Sequence, residues 1–414
     1  MSILIKNILL DNQQRDIFIQ GNKIEKIGEH LNMQADEEID GNGKTVLPGL
    51  LNMHTHSAMT LFRGYADDMP LQKWLEQKIW PLEAKLTAED VYWGMKLACL
   101  EMIKTGTTTF ADNYWFVPAG AKAVEEMGLR AVLAPPFFDL FDARKRKEAI
   151  KQTEEVFQES KNFNPRISFG LGPHSIYTVS EQGLRWLSEF AKQHNLFIQI
   201  HLSETKKEVE DCHERYNKRP AEFLDSIDFL DKNVLAAHSI WLNKNEMDIL
   251  TKKRVSVAYN PCSNMKLSSG IFNYSEAKKA GLNITLGTDG CASNNNLDMF
   301  EEMKIAALLQ KLDNPENLPA DECLQLATQN GAKFLDLENG IEEGKLADLI
   351  LIDRQKSFFT PGHNFISDIV YSAQGDCVSD VICDGKVLMR NRKVEGEEEI
   401  LRKAQEVVAN LLKR

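Results

Sequence analysis

No stretch of this chain approaches the roughly 20 consecutive apolar residues that span a bilayer. The opening Met1-Ser2-Ile3-Leu4-Ile5-Lys6 also lacks an apolar region of useful length for a secretory leader. The expectation is a soluble, cytoplasmic protein with no membrane partner. Positive charge is scarce too: 49 Lys and Arg stand against 61 Asp and Glu, a formal net charge of -12. Nucleic acids and anionic membrane surfaces demand basic patches, so a small molecule is the expected partner. The cysteines, at 99, 212, 262, 291, 323, 377 and 383, are odd in number and form no C-x-x-C pair. They read as reduced thiols, neither a disulfide framework nor a zinc knuckle. There is no internal repeat and no low-complexity segment. The acidic patch Glu395-Gly396-Glu397-Glu398-Glu399 reads as solvated surface at the start of a C-terminal helix.

What is present is a long alternation of strand-like and helix-like patterns. Apolar, strand-like stretches end near His56, at Asp112, Ala134, Leu171, Ile200, Ala237, Tyr259 and Thr288. Helical patterns lie between them, including Ala88 to Lys104, Ser180 to His194 and Asn243 to Lys253. Strands alternating with helices predict a parallel (β/α)8 barrel, class α/β, over residues 49–339, near the usual size of about 250 residues. The flanks differ in texture. Residues 1–48 and 340–414 carry short alternating pieces such as Ile17-Phe18-Ile19-Gln20-Gly21-Asn22-Lys23-Ile24 and Val378-Ser379-Asp380-Val381-Ile382-Cys383-Asp384-Gly385. These predict small antiparallel strands. The economical arrangement is one small β-sandwich domain built from both termini, with the C-terminal helix, and the barrel inserted between.

The chemistry-bearing residues collect at the ends of the predicted strands. His54-Thr55-His56 closes the first. Alternate residues of an extended segment share a face, so both imidazoles can reach one metal ion. A bare His-x-His decides nothing, but His201, His238 and Asp289 each follow a further apolar strand. Polar residues at the C-terminal ends of barrel strands mark the catalytic face of that fold. Histidines with a carboxylate make a nitrogen-rich, partly anionic site suited to Zn²⁺.

These segments resemble the amidohydrolase superfamily: Leu47-Pro48-Gly49-Leu50-Leu51-Asn52-Met53-His54-Thr55-His56, His201-Leu202-Ser203-Glu204, His238-Ser239 and Leu286-Gly287-Thr288-Asp289-Gly290. Within it the chain is similar to the 5-methylthioadenosine/S-adenosylhomocysteine deaminases, through Gly170-Leu171-Gly172-Pro173-His174-Ser175, Asn260-Pro261-Cys262-Ser263-Asn264-Met265-Lys266-Leu267 and Gly290-Cys291-Ala292-Ser293-Asn294-Asn295-Asn296. The resemblance implies hydrolytic deamination of the adenine ring of 5-methylthioadenosine, adenosine or a related 5′-modified adenosine. It implies a homo-oligomer acting on a nucleoside, with His54, His56, His201 and Asp289 as metal ligands. Relatives with two metals bridge them with a carboxylated lysine at the end of the fourth strand; here that strand leads to Pro173-His174. One Zn²⁺ per subunit is therefore expected, although iron and manganese suit the same donors. A bound water of lowered pKa makes hydrolysis the natural reaction class.

Glu204, three residues after His201, can take a proton from the attacking water and pass it to a ring nitrogen, as a non-ligand glutamate does in zinc deaminases of another fold. Its alternative reading is an acidic residue favoured by a helix N-terminus. His238 could be a fifth ligand, but the resemblance makes it the residue that orients the attacking water and stabilises the tetrahedral intermediate. It makes Asp289 double as the group that delivers a proton to departing ammonia, Glu83 a contact of the ribose hydroxyls, and His174 a residue facing the nucleoside. Glu83 reads equally as an exposed acidic residue starting a helix. Trp80, Trp74 and Phe62 could wall the base or simply pack.

One departure stands out. Relatives that use S-adenosylhomocysteine place an arginine near the end of the third strand, where this chain has Pro135-Pro136-Phe137. Arg144 or Arg146 could supply a second arginine, or be a solvated helix charge. Uncharged 5′ groups are the expected preference. Two other readings share these residues: a guanine or s-triazine deaminase or dechlorinase of the same superfamily, and a non-catalytic barrel scaffold.

Overall fold

The computed structural model describes all 414 residues. Residues 1–48 form five strands, β1 (Ser2–Leu10), β2 (Gln13–Gln20), β3 (Lys23–Gly28), β4 (Glu37–Asp40) and β5 (Lys44–Pro48). The barrel strands follow: β6 (Leu50–Thr55), β7 (Thr107–Asn113), β8 (Arg130–Ala134), the short β9 (Pro136–Phe137), β10 (Ile167–Pro173), β11 (Phe197–Leu202), β12 (Val234–His238), β13 (Ser256–Tyr259) and β14 (Asn283–Leu286). Three more, β15 (Leu349–Asp353), β16 (Val378–Cys383) and β17 (Lys386–Met389), return to the first sheet.

The barrel order is β6-β7-β8-β10-β11-β12-β13-β14, all parallel, with β9 beside β10. The eight expected strands are these eight. Closure is made by backbone and side chains together. The Asp289 N–H donates to the His54 carbonyl at 2.9 Å, and Asn52 and Thr288 exchange hydrogen bonds at 2.7 and 3.0 Å. Gly287 is required at this seam, because a Cβ there would lie 2.7 Å from the His54 nitrogen.

Helices cover the outside for local reasons. The helix Ala88–Lys104 starts at Thr87, which forms a reciprocal capping box with Asp90, and stops before Gly106, at φ +86°. Ser180 and Asn243 cap the helices Glu181–His194 and Lys244–Lys252 in the same way, by accepting from N3 N–H groups. All three lie where the sequence pattern predicts.

The terminal strands form one continuous sheet in the order β17-β16-β15-β5-β1-β2-β3, with β4 on β1. The two ends of the chain meet where β5 pairs antiparallel with β15, Val46 opposite Leu351. Two pairings, β1 with β4 and β1 with β5, are parallel rather than antiparallel, because after β3 the chain crosses over to the edge of β1 opposite β2. The C-terminal helix Glu397–Leu411 lies along the barrel helix Ala88–Lys104: its buried Ala404, Val407 and Leu411 share an apolar cluster with Leu61, Phe62 and Trp74, and Arg414 forks onto Asp90 at 2.7 and 2.8 Å. An amphipathic stripe seeks whichever apolar face lies nearest in space, which sequence position does not reveal.

Sheet and barrel are joined by charge as well as by apolar contact. The Arg130 guanidinium, at the start of β8, pairs with Asp348 and Asp384, each at 2.6 Å, and Arg166 reaches Asp384 at 3.4 Å. Asp348 is 4% exposed, so removing its partner strands a buried carboxylate. Arg130→Met should therefore lower unfolding free energy by about 3–5 kcal/mol, read as a shift in the urea midpoint.

Candidate metal centre and active site

The strand ends deliver four imidazoles and a carboxylate to one point. His54 is the penultimate residue of β6 and His56 lies just beyond it; His201 is in β11, His238 ends β12, and Asp289 follows β14. His238 and Asp289 have φ of +67° and +61°, a left-handed backbone that non-glycine residues seldom adopt and that functional sites often retain. Buried Asp112 at the end of β7 shapes the turn after β6. Its carboxylate accepts from Thr55 Oγ1 at 2.8 Å and from the Ser57 N–H at 2.6 Å.

Each ring is fixed through Nδ1. His54 Nδ1 donates to Gln199 Oε1, His56 Nδ1 to the Asn113 carbonyl and His201 Nδ1 to the His174 carbonyl, all at 2.7 Å. His238 Nδ1 pairs with Asn264 Oδ1 at 2.8 Å. For His54, His56 and His201 these acceptors favour the Nδ1–H tautomer and turn the Nε2 lone pairs inward; at His238 the Asn260 amide also approaches Nδ1, at 3.3 Å. The consequence is unfavourable for an empty protein: His56 Nε2 and His201 Nε2 lie 3.2 Å apart with no proton between them, and His54 Nε2 is buried without a partner. Asp289 Oδ1 lies 3.3 and 3.5 Å from the Nε2 atoms of His56 and His54. A cation at their centre satisfies all of these groups at once, so the residues fit a metal ion. Two overlapping donor groups share His54, one with His56 and Asp289 and one with His201 and His238. His238 is therefore also within ligating reach.

Electrostatics agree. Burial drives the His54, His201 and His238 pKa values down, outweighing the upward pull of Asp289 on His54 and His238, so these rings are neutral as ligands must be. Burial also raises the Asp289 carboxyl, but any proton held on His54, His56 or His238 more than offsets this and keeps it well below the ordinary range. Its other oxygen accepts from Ser263 Oγ at 2.6 Å and Ser293 Oγ at 2.9 Å. Burial and the Asp289 charge lift Glu204 to about 8; a bound cation opposes that shift. Glu204 Oε2 lies 3.9 Å from His238 Nε2, and Ser269 Oγ donates to Glu204 Oε1 at 3.2 Å.

Above this cluster lies a partly open cavity. His56, His174, His201, Glu204, His238 and Asp289 form its floor, and Glu83, Trp80 and Trp74 belong to a cover of short helical turns between Leu71 and Glu83. His174 is neutral, its pKa lowered to about 3 by burial and the neighbouring rings. Burial raises Glu83 to about 7 against the opposing influence of Tyr114, His56 and Trp115.

The structure thus brings together His54, His56, His201, His238, Asp289, Glu204, His174, Glu83 and Trp80. It does not bring Arg144 to them. That side chain is 93% exposed beside Asp142 at the start of the helix Ala143–Ser160, a solvated helix charge. Arg146 is turned toward Ser180 and Asp139, and Phe62 is fully buried beneath the cover. Sequence reasoning missed Gln199, although a polar side chain two residues before His201 on a buried strand shares its face and was a usable signal. It also missed the wall of Trp115 and Phe138, stacked at 5.8 Å, with Phe138 stacked on His174 at 4.7 Å; nothing local in the sequence marks these loop aromatics.

A cluster of imidazoles and a carboxylate at the C-terminal face of a (β/α)8 barrel defines a metal-dependent hydrolase. The Amidohydrolase family model matches residues 45–388, and the chain belongs to that family. It is 50% identical to a 5′-deoxyadenosine deaminase of Methanoregula boonei, over 100% of this chain and 96% of that one. It is 49% identical to a 5-methylthioadenosine/S-adenosylhomocysteine deaminase of Thermococcus sibiricus, over 94% of each. Among solved structures, an adenosine deaminase from Xanthomonas campestris with bound zinc superposes with a TM-score of 0.93 at 30% identity, covering 100% of this chain and 98% of that one.

Gln199→Leu removes the acceptor that orients His54 while keeping the strand apolar. Metal affinity should fall about 10- to 100-fold with unchanged far-ultraviolet circular dichroism, measured by competition against a chromophoric chelator.

Proposed function

We propose that this chain hydrolytically deaminates the adenine ring of an adenosine with an uncharged 5′ position, of the 5′-deoxyadenosine or 5-methylthioadenosine kind, releasing ammonia and the inosine analogue. The observation that carries this reading is the placing of Glu204, buried and held by Ser269, beside the ligand cluster and 3.9 Å from His238. The names of the relatives support the substrate class. His54, His56, His201 and Asp289 hold one Zn²⁺ per subunit. When bound, it lowers the pKa of a water so that hydrolysis proceeds at neutral pH.

The residues divide the remaining work. His238, neutral and anchored through Nδ1, accepts from the attacking water and orients it. Glu204 takes a proton from that water and gives it to a ring nitrogen, which makes the amidine carbon electrophilic. Asp289 receives the second proton and delivers it to the departing amine, so that one water is consumed and one ammonia leaves. Glu83 accepts from the ribose hydroxyls, and His174 faces the nucleoside from the opposite wall.

The preference for uncharged 5′ groups rests on the lining. No lysine or arginine faces the cavity; Trp115, Pro136 and Phe138 stand on the third-strand side instead. An amino-acid carboxylate loses a charge-assisted contact worth about 1.5–3 kcal/mol there, or roughly 10- to 150-fold in catalytic efficiency.

Ammonia release from methylthioadenosine, adenosine, 5′-deoxyadenosine and S-adenosylhomocysteine, measured side by side, tests this. S-Adenosylhomocysteine should be at least about tenfold poorer in kcat/KM, and Glu204→Gln should lower kcat by about 10²–10⁴-fold. Equal efficiency on S-adenosylhomocysteine, or turnover only of guanine or s-triazines, overturns the reading. A second outcome concerns pH. With Glu83 titrating at about 7, its acceptor form dominates above that value and its protonated form below. KM should therefore fall as pH rises from 6 to 8, and Glu83→Gln should show a higher KM with that dependence removed.

A further inference from the structure

Glu208 is 3% exposed, and no step above uses it. It stands at the third position of the helix Lys206–Tyr216, whose cap Thr205 accepts from the Glu208 N–H at 3.1 Å. Thr205-x-x-Glu208 has capping-box spacing, in which the glutamate would accept from the backbone of its own cap residue. The boxes Thr87–Asp90 and Asn243–Glu246 close that way, at 2.8 and 3.0 Å. The Glu208 carboxylate instead passes beyond the cap. One oxygen accepts from the Ser203 N–H at 2.8 Å and the other from the Glu204 N–H at 2.9 Å.

Those two residues carry the chain from the end of β11, where His201 lies, into the helix. Ser203 has φ +49°, so the turn uses a left-handed conformation that serine does not favour, and an external hold is needed. The hold is itself costly. Burial, and then the nearby Glu204 and Glu246 charges, lift Glu208 to about 8 against the pull of its two N–H donors. The buried box carboxylates Asp90 and Glu246 each accept from their own cap N–H, whereas Glu208 gives both oxygens to the turn before its cap.

We propose that Glu208 is a positioning residue for Glu204: its forked carboxylate locks the Ser203–Glu204 turn and so aims the Glu204 side chain at His238 and the ligand cluster, where Ser269 holds the far end. This rests on the proton-transfer role proposed for Glu204.

The test is Glu208→Gln in the zinc-loaded enzyme. An amide keeps one acceptor and turns an NH₂ toward the other N–H donor. The expected result is a kcat lowered about 10- to 100-fold with KM within about twofold, and metal content and melting temperature near those of the parent. A crystal structure of the variant should show the Glu204 carboxylate displaced from Ser269. An unchanged kcat, a kcat that falls only in step with metal content and stability, or a Glu204 that has not moved overturns the proposal. If the parent enzyme deaminates no adenosine, the function proposed above fails, while the crystallographic result still decides the role of Glu208. Should Glu208→Gln not fold, Glu208→Asp, with a stem too short to span both N–H groups, is read by the same measurements.

Discussion

The arrangement on which the rest of the structure depends is the forced meeting of imidazole lone pairs. Gln199, the Asn113 carbonyl and the His174 carbonyl each claim the Nδ1–H of a histidine, which leaves their Nε2 atoms unprotonated and facing one another. Without a cation this costs energy, since a buried acceptor without a partner and two opposed lone pairs are both unfavourable. A metal ion turns the same convergence into coordination. The backbone supplies two of the three anchors, so the site is built into the barrel and not merely attached to it.

The barrel's closure and the site are for the same reason inseparable. The hydrogen bond that joins the last strand to the first runs from Asp289 to His54, two of the proposed ligands. Gly287 lets the strands approach at that seam. Left-handed backbone at His238, Asp289 and Ser203 marks where strands turn sharply to place a side chain. Such strain persists because the surrounding packing over-determines it.

Around the charged floor the protein places an apolar and aromatic wall. Trp74, Trp80, Trp115, Phe138 and Tyr177 line the cavity beside groups whose protonation matters. Burial lifts Glu204 and Glu83 and depresses His174 and His238. Carboxyls pushed upward and imidazoles held neutral are the combination that proton transfer near neutral pH requires. The C-terminal helix packs along the helix Ala88–Lys104 and belongs to the same buried apolar cluster as Trp74 and Leu61. The last residues of the chain therefore bear on the first loop of the barrel.

Local pattern alone indicated the class of fold and most of the polar residues that gather at the strand ends. Alternation of apolar strands with amphipathic helices is a short-range signal, and polar residues at strand ends fall on one face by barrel geometry, so His54, His56, His201, His238, Asp289 and Glu204 were all legible as a set. The helical patterns Ala88 to Lys104, Ser180 to His194 and Asn243 to Lys253 matched the helices to within a residue at each end for the same reason: helical periodicity is a relation between near neighbours. Tertiary structure decided what depends on residues far apart in sequence. It assigned Gln199 to His54, brought Trp115 and Phe138 together from separate loops, turned Arg144 out to solvent, and sent the C-terminal helix to the barrel. It also sent the Glu208 carboxylate past its own helix cap. Side-chain direction at a loop and the choice of a packing partner are set by what else occupies the space, and no window of neighbouring residues carries that information.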